Sequence, residues 1–480
     1  MKKIILLLSL FVFIISCNED NLDTENNDKL TLTDWGKILA ADPSKADLLM
    51  IANYDLMNNF GGTHDEFGIK AIDLGTDLMT QDIVQSIHHW FGFYYLVDNR
   101  LETYRSTTHM WIETLAKMAN GANAILRPID KTTTNPEARA IIGQAYGFRA
   151  YTLLYYIHLF QKAYSVDPNL PGVPLFDDDV LNDRPGRNTT QAVYDQIIKD
   201  LNSAYSYLDG YTRPAKGRID RSVVAGLLAR TYLDMENWQQ AAAWAATART
   251  GYSLMNQTQY KSGFADITNP EVMFGYDINA TNTNYYASYF SQISNQDQGY
   301  AGLLGVYKLI DRSLYDKIPA TDYRKTVFNG SSAAYGLPAY ASLKFFSNQA
   351  DFSGDLTFMR ASEMYLIEAE AKAHYDEAGA KQVLLQFVSQ RNPSYTLSSN
   401  SGQALIDEIL TQRQIELWGE GFRLNDLKRL NLGIDRNYAG TNHRSDARLT
   451  IPAQDVRWVF QIPIAEINSS DFLSPSDQNP

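Results

Sequence analysis

The sequence predicts a mostly α-helical protein, built as a solenoid of paired helices that a long loop-rich insertion with short strands interrupts. Before about residue 250 and after about residue 356, apolar residues recur at spacings of three and four, the period of amphipathic helices. Between 251 and 355 that period is weak, and Asn, Gln, Gly, Ser and Tyr are frequent. Because no long low-complexity stretch follows residue 30, we predict one domain. This domain is predicted to span 31–480. It consists of helical repeats at about 31–250 and 356–430, the insertion at about 251–355 and a C-terminal segment at 431–480.

The chain begins with a short apolar run that is typical of a signal peptide, predicted at 1–16. Lys2 and Lys3 precede Ile4–Ile15, and twelve helical residues span only about 18 Å of a bilayer core of roughly 30 Å. Ile15-Ser16-Cys17 resembles a bacterial lipobox, and Cys17 is the single cysteine of the chain. We therefore predict that Cys17 is acylated and begins the mature protein; the alternative is a secreted protein that loses Cys17 with its signal.

Residues 17–30 are polar and acidic, which predicts a flexible tether behind the lipid. An acidic patch directly after the acylated cysteine also resembles the export signal of lipoproteins that are displayed outside the cell.

The first predicted helices are Met110–Ile129 and Pro136–Tyr164. The second carries small residues along its length and an apolar stripe, which consists of Ile141, Ala145, Phe148, Thr152, Tyr155 and Leu159. A further helix is predicted to start on a threonine cap at Thr189 or Thr190.

The later helices repeat this arrangement. A helix at about Ser222–Leu233, a turn at Met235–Asn237 and an alanine-rich helix to Arg249 form one pair of about 34 residues, and Met359–Tyr375 with Gln403–Trp418 form another. Pairs of this length with small residues resemble tetratricopeptide repeats, in which each pair buries its face only against its neighbours.

The charge balance excludes polyanionic ligands. The formal net charge is −13, and Lys and Arg are scattered without a basic tract. Since nothing would neutralise a polyanion, nucleic acid and sulfated or carboxylated polymers are unsuitable partners.

Four stretches, taken in order, resemble the SusD/RagB-like family of nutrient-uptake lipoproteins. They are PGVPLFDDDV with NDRPGRNTTQAVYDQIIKDLNSAYSYL, GRIDRSVVAGLLARTYLDMENWQQAA, RQIELWGEGFRLNDLKRL and the terminal VFQIPIAEINSSDFLSPSDQNP. The resemblance implies a SusD-like fold that is not an enzyme and that captures oligosaccharides, occasionally peptides. It also implies delivery to a SusC-type TonB-dependent transporter of the outer membrane, with the acylated Cys17 in outer-membrane lipid and the protein facing the cell exterior. In the family the repeats contact the transporter, while the loop-rich side binds the ligand.

Two stretches combine the flat aromatic rings and hydrogen-bonding groups that sugar binding requires, and they correspond broadly to the family's ligand-contacting regions. They are Asp77–Arg100 and Thr281–Tyr300. The predicted ligand-binding residues are Asp82, His88, His89, Trp90, Tyr94, Tyr285, Tyr286 and Tyr289. No motif fixes the individual positions, and the alternative for each ring is a place in the core.

The segment Arg413–Arg429 contains two carboxylates four residues apart, Glu416 and Glu420, as a glycosidase pair could be. Neighbouring arginines would lower the pKa of such an acid rather than raise it. We predict a structural ion network here, formed by Arg413, Glu416, Glu420, Arg423 and Asp426, and no catalytic residues.

No metal or cofactor site is predicted. The seven histidines show no zinc spacing, and the sequence has no phosphate-binding glycine loop. The acidic cluster Asp177, Asp178, Asp179 and Asp183 fits a solvated loop better than a calcium loop, because Leu181 takes a ligand position. Two other functions stay open, a hydrolase acting on the same substrates and a tetratricopeptide-type adaptor that binds another protein.

Overall fold

Paired α-helices make up most of the chain in the computed structural model, which describes residues 42–175 and 186–480 together with 34, 36, 38 and 39. The predicted signal peptide, Cys17, the tether and the acidic cluster Asp177, Asp178, Asp179 and Asp183 lie outside the described residues.

The first half of the solenoid is built around one long buried helix. Its elements are α1 (Ser44–Asp55), α2 (Ile69–Met79), β1 (Ile83–Gln85), α3 (Gly92–Tyr95), α4 (Arg105–Thr108), a π-helical segment (His109–Ala116), α5 (Lys117–Leu126) and α6 (Pro136–Phe160). From Arg105 to Leu126 the helix is continuous, with the π-helical segment in its middle. The long helix α6 starts where the Asn135 side chain accepts hydrogen bonds from two backbone N–H groups. Helix α6 is buried on nearly all sides, and α5 and α7 both pack on it. Its small residues let these two helices approach closely.

The solenoid continues directly across the insertion. Its later helices are α7 (Thr190–Tyr207), α8 (Arg221–Asp234), α9 (Trp238–Ala248), α14 (Ala361–Ala373), α15 (Glu377–Val388), α16 (Gln403–Glu416) and α17 (Arg423–Arg429). Helix α9 packs on α14, although the insertion separates them in the chain. This arrangement confirms the predicted tetratricopeptide-like solenoid with a loop-rich insertion.

One helix pair differs from the prediction. The predicted pair Met359–Tyr375 and Gln403–Trp418 does form a contact, since α14 packs on α16, but α15 lies between them in the chain and also packs on α14. The buried stripe Val383, Leu384 and Phe387 explains this contact.

The insertion contains only short elements. These are α10 (Gln257–Tyr260), β2 (Val272–Tyr276), α11 (Tyr289–Ile293), α12 (Tyr300–Leu304), β3 (Lys308–Ile310), α13 (Arg312–Asp316) and a 3-10 turn (Tyr323–Val327). Strand β3 pairs antiparallel with β1, with Ile83 opposite Ile310, and β2 pairs antiparallel with β4 (Leu356–Arg360), with Val272 opposite Arg360. Both two-stranded sheets therefore join the insertion to neighbouring segments of the solenoid.

The C-terminal segment adds short elements over the end of the solenoid. They are β5 (Ile434–Asp435), β6 (Thr450–Ile451), 3-10 turns at Ser445–Ala447, Val456–Trp458 and Pro475–Asp477, and α18 (Ile464–Ser469). Backbone N–H groups of Phe460 and Gln461 donate to the carbonyls of Leu159 and Arg100, which fixes this segment to α6 and to the chain before α4. Among the described helices, none has the length and apolarity needed to cross a membrane.

Candidate aromatic ligand site

A closed loop before α2 presents the first two rings of the site. An isolated antiparallel bridge joins Phe60 to Phe67, and the Gly61 N–H donates to the Glu66 carbonyl over 2.8 Å. Phe60 and His64 project from this loop, and 47% of the Phe60 side chain is exposed.

A tight turn before α3 positions the next two rings, those of His89 and Trp90. The Gly92 N–H donates to the His89 carbonyl over 2.7 Å, and Phe91 takes a left-handed conformation with φ of 65°. Such backbone is unfavourable for a bulky residue, and strain of this kind concentrates at functional sites. The buried Phe91 ring packs on Phe67, so the turn that carries Trp90 rests on the core.

The insertion supplies the remaining rings from a loop that hydrogen-bonds to the segment before Phe60. The Asn284 amide donates to the Asn58 carbonyl over 2.8 Å, and the Asn58 amide donates to the Asn282 carbonyl over 3.1 Å. Tyr286, 43% exposed, stands next in this loop and is supported from behind by the buried ring of Phe352 at 5.3 Å.

Tyr300, at the start of α12, joins these parts into one aromatic cluster. Its ring centroid lies 5.3 Å from that of His64, 5.3 Å from His89, 6.2 Å from Trp90 and 5.6 Å from Tyr286. We call Phe60, His64, His89, Trp90, Tyr286 and Tyr300 the aromatic cluster. The structure thus brings rings from both predicted stretches together on one partly exposed surface.

Polar groups lie among these rings. The Tyr300 hydroxyl is hydrogen-bonded to Nδ1 of His64, and the Gln292 amide donates to the His64 carbonyl over 2.9 Å. Within the part of the chain that the structure describes, Nδ1 of His89 and Oε1 of Gln292 are buried without a hydrogen-bond partner. Burial lowers the pKa of His89, so at neutral pH its ring is uncharged and offers one donor and one acceptor.

Three of the predicted ligand residues are buried, which corrects that part of the prediction. Tyr94 packs on Phe91, and the Tyr289 hydroxyl donates to the Gly419 carbonyl over 2.6 Å. Asp82 accepts from Arg423 over 3.2 Å. These three side chains make their contacts inside the protein and are too buried to touch a ligand on the surface.

The other five predicted ligand residues are at least partly exposed. His89, Trp90 and Tyr286 belong to the aromatic cluster, Tyr285 is exposed beside Tyr286, and His88 packs edge-on against Phe93 at 5.5 Å. Sequence reasoning missed Phe60, His64 and Tyr300. The glycine- and asparagine-rich run NNFGGTHDEFG and the end of Thr281–Tyr300 contained the signal for them, namely aromatic residues within turn-forming sequence.

The carboxylates Glu416 and Glu420 belong to a buried cluster that the sequence only partly indicated. Glu416 accepts from Arg324 at 3.2 Å, Arg360 at 3.0 Å and Arg391 at 3.0 Å, while Glu420 accepts from Arg360 and Lys344, each at 2.7 Å. We call these six residues together with Glu271 the Glu416 cluster. Its cations come from the insertion, from β4 and from the turn that follows α15, not from the predicted Arg413 and Arg423.

Arg413, Arg423 and Asp426 form separate pairs. Arg413 donates to Asp426 over 2.8 Å, and Asp426 also accepts from Arg429. Arg423 pairs with Asp82, and its backbone N–H donates to Asp77. The five residues predicted as one network therefore divide among three groups of contacts.

These contacts decide the protonation of Glu416. Burial alone would raise its pKa, but the charges of Arg391, Arg360 and Arg324 hold the pKa far below the usual value. A general acid of a glycosidase needs a raised pKa and access to substrate, and Glu416 has neither.

Two family models match the chain. One, described as the SusD family, matches residues 275–480, and the other, described as "Starch-binding associating with outer membrane", matches residues 57–233. Phe60, His64 and Trp90 lie in the second match, and Tyr286 and Tyr300 lie in the first.

Solved structures share the fold. A SusD-like carbohydrate binding protein from Bacteroides vulgatus is 24% identical, with a TM-score of 0.80 over 91% of this chain and 98% of that chain. A laminarin binding SusD-like protein is 19% identical, with a TM-score of 0.68 over 91% and 99%. Surface glycan-binding protein A from Bacteroides fluxus is 15% identical, with a TM-score of 0.67 over 91% and 99%. No curated protein matches the chain.

Proposed function

We propose that this chain, which belongs to the SusD/RagB-like family, captures neutral oligosaccharides on its aromatic cluster at the cell surface. One observation carries the proposal: Tyr300 joins rings from the loop before α2, the turn before α3 and the insertion into a single partly exposed surface. Flat rings cover the apolar C–H faces of pyranoses, while the histidines and amides among them offer hydrogen bonds to hydroxyls.

The class of ligand follows from charge and from the relatives. The net charge of −13 disfavours anionic glycans, because the ligand would meet a negative field. One matching family model is described as starch-binding, and one similar structure is a laminarin binding protein. Neutral glucans are therefore the first ligands to test.

The partner and the location extend the same proposal. We propose that the protein delivers its ligand to a SusC-type TonB-dependent transporter, without cleaving it. The lipid-bearing Cys17 would hold the protein in the outer membrane, on the exterior side. The description "associating with outer membrane" of a matching family model supports this location, and stable anchoring needs at least two acyl chains or a second signal.

The test is calorimetry of the soluble domain with malto-oligosaccharides and laminari-oligosaccharides, comparing the parent with Trp90→Ala. Stacking of a ring on a ligand contributes about 1–3 kcal/mol by analogy with base stacking, so affinity should fall about tenfold or more. Trp244→Ala is the matched control, because Trp244 is half-buried on α9 against Tyr205. Chromatography of the ligand after incubation should show no cleavage products.

The outcomes separate the alternatives. Equal affinity of Trp90→Ala and parent, at equal melting temperature, would place recognition elsewhere. Binding of peptides and of no glycan would retain nutrient capture but refute the sugar ligand. Cleaved oligosaccharide would show a hydrolase instead.

A further inference from the structure

Three potential metal ligands converge beside the loop that carries Phe60 and His64. Glu66 comes from that loop, whereas His109 and Glu113 lie four residues apart on the π-helical segment. One ligand atom from each of the three lies within 4.8 Å of the others. An imidazole nitrogen with two carboxylates is a donor set typical of Zn²⁺ and similar first-row ions, whereas Ca²⁺ prefers oxygen ligands alone.

His109 is a buried histidine whose ring makes no hydrogen bond to the described residues. Only 1% of the residue is exposed, and neither ring nitrogen has a hydrogen-bond partner among them. Its Nδ1 faces the Glu113 carboxylate at 3.5 Å, longer than the usual length of a hydrogen bond. Buried polar atoms are nearly always paired, so this nitrogen requires an explanation.

A glycine leaves space beside these donors. A Cβ on Gly61 would lie 2.5 Å from Nδ1 of His109 and 2.9 Å from a carboxylate oxygen of Glu66. Any side chain at this position would therefore fill the space between the two ligands.

A cation already lies against both carboxylates. Arg105 approaches Glu66 and Glu113 at 2.9 Å each, while its own side chain is 49% exposed. The guanidinium balances the acids, while the His109 ring has only its 3.5 Å contact with Glu113. The guanidinium also donates to the Gly61 carbonyl, so a metal ion at this position would have to displace the half-exposed Arg105 side chain into solvent.

We propose that Glu66, His109 and Glu113 bind a divalent first-row metal ion of the zinc class. The ion would clamp the loop Phe60–Phe67 onto the continuous helix Arg105–Leu126 and so fix two rings of the aromatic cluster. This site could not be predicted from the sequence, because Glu66 is distant from His109 in the chain. The proposal does not depend on the identity of the glycan, since its tests measure metal binding and stability alone.

The first experiment titrates ZnCl2 into the protein after treatment with EDTA, with MgCl2 and CaCl2 as comparisons. We expect one zinc site, a higher melting temperature with zinc, and little effect of the other two ions. Glu113→Gln and His109→Gln should each weaken zinc binding by about tenfold or more. Substitution of a residue that only supports a metal ligand already costs about tenfold in metal affinity. His374→Gln, which alters a histidine stacked on Trp238, should leave the affinity unchanged.

Arg105→Gln separates a metal site from a plain ion pair. If the site binds metal, this variant should bind zinc more tightly than the parent, since a competing positive charge is gone, and zinc should restore its melting temperature. Zinc-edge anomalous diffraction should place the ion among the three side chains. The proposal would be overturned if neither Glu113→Gln nor Arg105→Gln changed the affinity for zinc. It would also be overturned if the diffraction placed the ion at the exposed His88.

Discussion

At the scale of single residues, the aromatic cluster depends on side chains that are distant in sequence. Tyr300 and His64 are separated by 236 positions, yet their hydrogen bond fixes the relative position of the insertion and the loop before α2. A ring that is held in this way loses little further conformational freedom when a ligand stacks on it, which favours binding.

A buried lysine acts on the same site electrostatically. Lys308, on β3, donates to the Val306 carbonyl over 2.9 Å, and burial lowers its pKa to about 7. Its positive charge contributes to the low pKa of His89, although burial of His89 contributes more.

Lys308→Met should change how stability depends on pH. Between pH 7 and about 10.4, the unfolded lysine is protonated while the folded one is largely not. The unfolded state therefore binds more protons, and the free energy of unfolding of the parent rises with pH in this window because of Lys308. The methionine variant should lack that increment, and urea unfolding at several pH values measures the difference.

The control is Lys261→Met, which removes a half-exposed lysine from the end of α10. It should keep the slope of the parent. If Lys308→Met also kept that slope, the side chain would not be neutral inside the folded protein.

At the scale of elements, a local capping signal predicted the start of α7, whereas the first predicted helix, Met110–Ile129, is wrong at its start because the continuous helix begins at Arg105. A cap depends on a side chain and the next three residues, all of which are visible in the sequence. At the start of α7, the Thr189 hydroxyl accepts from the Ala192 N–H over 3.1 Å, as the predicted threonine start requires.

Thr189→Ala should lower the free energy of unfolding by about 1 kcal/mol, because a backbone N–H at the start of α7 loses its acceptor. Thr189→Ser keeps the hydroxyl and should lie close to the parent in urea unfolding. An equal loss in both variants would point to the lost methyl group rather than to the cap.

What the sequence could not predict depends on how elements dock. Tyr94 and Trp90 belong to one aromatic run in the sequence. The left-handed turn at Phe91 directs Tyr94 into the core and leaves Trp90 partly exposed. Likewise, Tyr289 and Tyr286 differ in exposure: the Tyr289 hydroxyl donates to the buried Gly419 carbonyl, whereas the Tyr286 ring packs on Phe352 and is 43% exposed. Composition located both stretches of the site, whereas the orientation of each ring required the tertiary structure.

At the scale of the whole molecule, the Glu416 cluster fastens the insertion to the solenoid. Glu271, Arg324 and Lys344 come from the insertion, while Glu416 ends α16 and Arg360 ends β4. All of these side chains are buried, so each charge relies on its partners.

Glu416→Gln should therefore be strongly destabilising, by about 3–5 kcal/mol, because three buried arginines lose a shared negative partner. The control is Asp446→Asn in an exposed pair with Arg444, for which about 0–1 kcal/mol is expected. Chemical unfolding at pH 7 measures both values.

The same substitution should alter acid unfolding. The pKa of Glu416 is held far below its usual value, so its stabilising contribution is complete above the unfolded pKa of about 4.3 and is lost as pH falls further. The glutamine variant should lose less stability than the parent below pH 4. Identical acid sensitivity would mean that Glu416 does not carry this charge.

The last prediction concerns attachment of the whole molecule to the membrane. Cys17→Ala removes the single thiol available for acylation, so the protein should leave the membrane fraction and its N-terminus should carry no lipid mass. Each buried acyl methylene contributes about 0.8 kcal/mol to membrane binding, so loss of the acyl chains abolishes stable anchoring.

The glycan affinity of Cys17→Ala in solution should stay unchanged, because the aromatic cluster and the predicted tether involve different parts of the protein. Uptake of the ligand by cells should nevertheless fall, since capture would no longer take place beside the proposed transporter. Cys17→Ala protein that remained in membranes, with a parent N-terminus free of lipid, would refute the lipoprotein hypothesis while leaving ligand capture open.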